Sequence, residues 1–181
     1  DNDNVTGAYT LTNHLISLEH RLIGVVNVSL KVSTGYERFH GFCQAMRSID
    51  VDPTANYAYR YDTGFSEQDG YSAAAYLLSL DPPPTAIVVM NNVMTLGVVR
   101  YCNTHNISIP EDLSLVSFGD NANQALFTIQ PTMIQLNLKT IGNKIGDLIM
   151  ERIRNKGAGP NQEVRYSSSL VVGNSCKVYT P

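Results

Sequence analysis

The chain has 181 residues, 43% of them hydrophobic and 16% charged, with a formal net charge of -3. At this length roughly 70% of the unfolded surface can be buried, so neither metal nor disulfide is needed to hold the fold. The thirteen Lys and Arg are scattered in an acidic chain, which excludes a basic surface that grips nucleic acid, and no apolar run approaches the roughly 20 residues of a membrane span.

The opening stretch "DNDNVTGAYTLTNHLISLEHRLIGVVNV" predicts loop, helix and strand. Tyr9, Leu11, Leu15, Ile16 and Leu18 recur at helical spacing, and Ile23 to Val28 is a short β-branched run. A second helix follows through Phe39, Phe42, Cys43 and Met46, with Ser33 or Thr34 as its expected N-cap. "NYAYRY" predicts a strand over 56–61, and the next helix has the stripe Tyr71, Ala74, Ala75 and Leu78. Three prolines then precede the apolar run Ala86 to Met90, which ends in Asn91 and Asn92 before a helix reaching about His105. "LSLVSF" is a fourth strand and "TMIQLNL" a fifth, alternating one. A last long helix carries Ile141, Ile145, Leu148, Ile149 and Ile153, and "EVRYSSSLVVG" closes with one or two strands.

Strands alternating with such helices predict right-handed crossovers and a mostly parallel sheet covered on both faces. Ligands of such sheets bind beyond the carboxyl ends of the strands. Those ends carry Arg38, Phe65, Asn91 with Asn92, and Asp120 behind Gly119. Arg38 can fork onto a ligand or pair with Glu37. Phe65 can stack on a flat ring or pack against its helix. An asparagine can cap a helix or face a ligand, and Asp120 can cap or accept from hydroxyls. Together they suit a polar, hydroxyl-rich or planar small molecule.

Catalytic templates are missing from the sequence: there is no GxSxG, GxxxxGK[ST], GxGxxG or HExxH. The four His are dispersed, without metal-ligand spacing. The chain therefore reads as a non-enzyme without metal or cofactor. No signal-peptide pattern opens it. Cys43, Cys102 and Cys176 lie far apart without CxxC spacing, which predicts reduced thiols in a cytoplasmic protein. Sequons begin at Asn4, Asn27 and Asn106.

The segments "DNVTGAYTLTNHLISLEHRLIGVV", "STGYERFHGFCQAM", "PPPTAIVVMNNVMTLGVVRYC", "ISIPEDLSLVSFGD" and "PTMIQLNLKTIGNKIGDLI" follow one another in the order of the lac/gal repressor family, which the chain resembles over nearly its whole length. The resemblance implies a periplasmic-binding-protein-like type I lobe, a doubly wound α/β/α sandwich. It implies the effector-binding core of a cytoplasmic, dimeric transcriptional regulator, which reaches operator DNA only through a helix-turn-helix domain not present in this sequence. Residues 1–131 would form the C-terminal lobe, 132–160 a strand and helix returning to the N-terminal lobe, and 161–181 a final crossover. The alternative is a secreted sugar-binding protein that feeds a transporter.

By the same resemblance Arg38 matches the family's effector-contacting arginine after "TG", which brings Thr34 into the site. Asn91 matches the strand-end asparagine that meets sugar hydroxyls, leaving Asn92 to cap or brace the helix. Phe65 matches a stacking aromatic, and Asp3 an aspartate at the lobe crossover. The sequence departs from the family where Gly119 holds the usual effector aspartate's place, with Asp120 one residue later. It departs again where Glu19 replaces the glycine of "LGHR", at about 1 kcal/mol if φ stays positive, and Lys31 adds a cation near the cleft.

Overall fold

The computed structural model describes residues 1–54, 57–119, 129–154 and 164–180. Among the described residues five helices and six strands follow one another: α1 (Asn4–Ser17), β1 (Ile23–Val28), α2 (Ser33–Arg47), β2 (Arg60–Thr63), α3 (Glu67–Leu78), β3 (Ala86–Val89), α4 (Asn92–Thr104), β4 (Ser114–Phe118), β5 (Thr132–Gln135), α5 (Leu138–Arg154) and β6 (Ser169–Val171). The sheet order is β2-β1-β3-β4-β5-β6. The first five strands are parallel and β6 runs antiparallel to β5.

Alternation along the strands divides the core. Val25, Val88 and Val116 point to α1 and α2, where they meet Leu11, Leu15, Phe42 and Met46. Val26, Ile87, Val89 and Leu115 point to α3 and α4, where they meet Ala74, Leu77, Met94 and Val98. Both faces of the central strands are thus dry, as their unbroken apolar runs require. The doubly wound α/β/α sandwich follows from that pattern.

Three local expectations are corrected, and one helix is left unpacked. Pairing in β2 starts at Arg60, because Tyr57 and Tyr59 turn their rings into the two core clusters. The buried face of α3 is Gly70, Ala73, Ala74 and Leu77, one residue earlier than the apolar stripe suggests. Val32 occupies the N-cap of α2 without a side-chain hydrogen bond, and Ser33 and Thr34 are already helical. Finally, α5 buries none of its residues, so Ile145, Ile149, Met150 and Ile153 stand exposed on it. Its amphipathic spacing is real, but among the described residues only Asp1, Val164 and Tyr166 border the stripe, at Ile141, Ile145 and Leu148.

Glu19 does adopt φ 67°. It ends α1 in a Schellman arrangement, with Glu19 N–H donating to Ile16 O at 3.0 Å and His20 N–H to Leu15 O at 3.1 Å. These bonds satisfy the last carbonyls and offset the left-handed strain.

His20 follows at once and is buried. Its Nδ1 lies 2.8 Å from Thr85 Oγ1, and its Nε2 lies 3.0 Å from Ser114 Oγ and 3.1 Å from Lys177 O. A carbonyl only accepts, so Nε2 carries the hydrogen in the neutral ring and Nδ1 accepts from Thr85. Around it the segment Gly173–Tyr179 forms a strap across the amino ends of β4 and β5. Ser175 Oγ donates to Leu115 O at 2.5 Å and accepts from Thr132 N–H at 2.8 Å. Tyr179 N–H donates to Leu18 O at 2.8 Å. Cys43, Cys102 and Cys176 are free thiols. Asn4 and Asn27 of the sequons are buried, which places both out of reach of glycosylation.

Candidate functional site

The carboxyl ends of β1, β3 and β4 open toward one edge of the sheet, and Arg38 reaches that edge from the second turn of α2. Only 9% of its surface is exposed. Nη1 donates to Met90 O at 2.6 Å, at the end of β3, and Nε donates to Asn4 Oδ1 at 2.9 Å. The guanidinium carbon stands 4.0 Å over the Phe118 ring, at the end of β4. Burial lowers the Arg38 pKa to about 10, with the charge of Glu37 acting the other way. The side chain is therefore a cation at neutral pH. Nη2 makes no hydrogen bond among the described residues. Nor is it one of the sealed, unpartnered polar atoms, which are His14 Nε2 and Asn27 Oδ1.

The surface ion pair with Glu37 allowed by the sequence is not formed. Asn4 stands between the two, and Glu37 accepts from its Nδ2 at 2.8 Å. Helix α2 can seat Arg38 this deeply because Gly35 lies on the end of β1. A Cβ there would come within 2.5 Å of Ser29 O and 2.7 Å of Val28 Cγ2.

Asn91 borders the same edge, half-buried, directly after Met90. Here the cap falls to Asn91 rather than to Asn92 alone, whose Oδ1 also accepts from Val93 N–H at 3.0 Å. Asn91 is the N-cap of α4, its Oδ1 accepting from Val93 N–H at 2.8 Å and Met94 N–H at 3.3 Å. Asn92 is the first helical residue. The reason is register: β3 ends at Val89, so only Asn91 has the extended φ -156°, ψ 139° that lets a side chain fold back on the turn. Capping occupies Oδ1 and leaves Nδ2 to donate outward. Asn91→Ala is expected to cost about 1 kcal/mol from the lost cap alone. A urea titration showing no loss would remove the cap.

The remaining residues are less closely gathered. Asp3 caps α1 through Thr6 N–H at 3.0 Å, and that bond holds its carboxyl below the usual range. Thr34 is half-buried in the first turn of α2. Phe65 is 49% exposed in the loop between β2 and α3, sharing the sheet edge with Arg38 and Asn91. Asp120 lies outside the described residues. Gly119 has φ 95°, and a Cβ on it would stand 3.7 Å from Asn92 Cβ, so space exists but the backbone disfavours a side chain.

Beyond β5 the edge continues as an open groove of about 480 Å³, lined by Gln135, Leu136, Asn137 and Ser167 to Ser169. Reasoning from the ends of the central strands missed these groups. The serine triplet beside a short terminal strand was the available signal. Among the described residues no group of three His, Cys, Asp or Glu can hold a metal ion, and no helix is long and apolar enough to cross a membrane.

A family profile described as periplasmic binding protein-like domain matches residues 12–176. The chain belongs to that family. The HTH-type transcriptional repressor PurR of Haemophilus influenzae (strain PittEE) is 28% identical over 179 residues, covering 98% of this chain and 53% of the relative. The chain thus spans about half the length of the curated relatives it matches. Among solved structures, a LacI family transcriptional regulator from Enterococcus faecium with bound ribose superposes with a TM-score of 0.89 at 23% identity, over 99% of this chain and 65% of that one. The transcriptional regulator CelR in complex with cellobiose gives 0.87 at 22% identity, over 97% of this chain and 53% of that one. At these identities the two likenesses show the fold, a periplasmic-binding-protein-like lobe.

Proposed function

We propose that this chain is the effector-binding part of a transcriptional regulator. A small, sugar-like polar molecule meets the edge formed by Arg38 and Asn91, and its binding changes the affinity of an attached DNA-binding domain for operator DNA. The observation that carries this reading is the fixed guanidinium of Arg38. Two of its nitrogens are held by the protein and the third makes no hydrogen bond among the described residues, close to the strand ends beyond which parallel sheets bind ligands. The relatives named above are regulators, which favours this reading over a secreted solute-binding protein. The mechanism is allosteric: an effector shifts the equilibrium only by its differential affinity for the two states. The working protein is a cytoplasmic homodimer without catalytic activity, and Phe65, Asp3 and Thr34 flank the effector.

A thermal-shift screen of the full-length protein with ribose, cellobiose, sugar phosphates and nucleobases tests the proposal. A ligand at 100 times its Kd stabilises by about 2.7 kcal/mol, or roughly 5–11 °C for a chain of this size. Arg38→Ala is expected to abolish that shift, measured against the variant's own Tm. A shift that survives in Arg38→Ala would remove Arg38 from the site.

A further inference from the structure

Asn4 stands in the first turn of α1 with 1% of its surface exposed, between two side chains that make opposite demands. Arg38 Nε–H can only donate, and does so to Asn4 Oδ1 at 2.9 Å. The Glu37 carboxylate can only accept, and takes Asn4 Nδ2–H at 2.8 Å. The bridge therefore needs one accepting and one donating branch on a short stem. Asparagine supplies both, aspartate would lose the donor, and leucine would lose both. The chemistry of the two neighbours also fixes which branch is oxygen and which is nitrogen.

With Nε on Asn4, Nη1 on Met90 O and one face over Phe118, the guanidinium cannot turn without breaking a bond. We propose that Asn4 is the positioning residue of Arg38, tying the effector-contacting guanidinium to the paired segments at Asp3 and Tyr166. The proposal rests on the effector reading above and adds a route for its regulation. The tie is short. Asp3, next to Asn4, donates its N–H to Tyr166 O at 3.0 Å, Tyr166 N–H donates to Asp1 O at 2.8 Å, and Asn2 forms a parallel bridge with Tyr166. A ligand that draws on Nη2 pulls through Asn4 on the start of α1 and on the Tyr166 segment bonded to it. The physical link between Arg38 and the start of α1 is one amide long.

The full-length protein is tested in two ways: calorimetric titration with ribose and with cellobiose, and the 15N-resolved Arg38 Nε–H resonance. In the wild type that resonance is expected to be protected from exchange, because Nε–H is bonded to buried Asn4. Asn4→Leu is expected to lose the protection and to weaken sugar binding about tenfold or more, the effect of losing a charge-assisted hydrogen bond. Asn4→Asp alone sets two carboxylates face to face and weakens binding as well. Adding Glu37→Gln to Asn4→Asp reverses the direction of one hydrogen bond, so the introduced carboxylate accepts from both neighbours. This double variant is expected to restore the protected resonance and the affinity. A protected Nε–H in Asn4→Leu, or unchanged affinity for the sugar that the wild type binds, overturns the proposal. If Asn4→Leu does not fold, the double variant decides alone, and failure to recover the resonance overturns it. If the wild type binds neither sugar, that result counts against the effector reading, while the resonance still decides the role of Asn4.

Discussion

Gly97→Ala is expected to destabilise the protein by about 3 kcal/mol or more, the upper range for forcing atoms into a filled core. The helices α3 and α4 cross at two glycines, each facing the other helix's backbone. A Cβ on Gly70 would stand 2.7 Å from the Met94 carbonyl carbon. One on Gly97 would stand 2.5 Å from Tyr71 N and well inside contact distance of the Glu67 carbonyl oxygen. Backbone cannot swing aside as a side-chain tip can, so the helices must separate. Separation loosens Ala74, Leu77, Met94 and Val98 against the sheet. The ion pair of Arg100 with Glu67 at 3.0 Å spans the same seam but is solvent-exposed, too weak to compensate. Thermal unfolding should fall by about 6–12 °C. Gly142→Ala on α5, where an added Cβ meets nothing within 4 Å, is the control and should be neutral or stabilising. Equal melting temperatures for Gly97→Ala and the wild type would mean that the helices do not approach this closely.

His20→Leu is expected to cost about 3 kcal/mol at neutral pH, because it strips partners from buried polar groups. Lys177 O loses its donor, and Ser114 and Thr85 lose the ring. The cost should also depend on pH. Burial lowers the His20 pKa below its ordinary value of 6.5; the hydrogen bond to Lys177 O opposes this, and the charges of Lys177 and Arg21 act with burial. Glu111 and Asp112 border the same site, with Glu111 3.6 Å from Lys177 Nζ. The folded chain thus resists a proton that the unfolded chain accepts. The stabilisation is complete above 6.5 and is lost as pH falls from there through the folded value. His14, also lowered by burial, adds a contribution of the same sign. Urea titrations at several pH values between about 5 and 7.5 should show the gap between wild type and His20→Leu narrowing toward the acid end. A gap that widens there would reverse the assigned direction.

The sheet was legible because buried parallel strands announce themselves as apolar runs, and β1, β3 and β4 appear where those runs lie. Faces were less legible than elements. Glycine has no hydrophobic signal, so the closest approach of α3, at Gly70, was invisible to a stripe drawn through Tyr71 and Ala75. At the candidate site, strand-end position pointed to Arg38 and Asn91, but not to the hydrogen bonds each makes. Two adjacent asparagines look alike in sequence, and one residue of register decides which folds back on α4. Asn4 was hidden for a different reason. It lies 34 positions from Arg38, and a buried amide in a helix's first turn reads as a cap or a sequon until its neighbours are known. The stripe on α5 was legible in full, and its spacing says nothing of what lies against it.

The strap from Gly173 to Tyr179 also sets an order of events during synthesis. Ser175 completes hydrogen bonds on Leu115, a residue made 60 positions earlier, and Lys177 reaches back 157 positions to His20. Strands β1, β3 and β4 can therefore pair while the chain is still growing, yet the floor beneath β4 stays open to water. A ribosome-bound intermediate should hold its parallel ladder but leave the amides at the start of β4 and β5 exchanging freely. Their protection would then come in one late step, as Ser175 and Lys177 emerge.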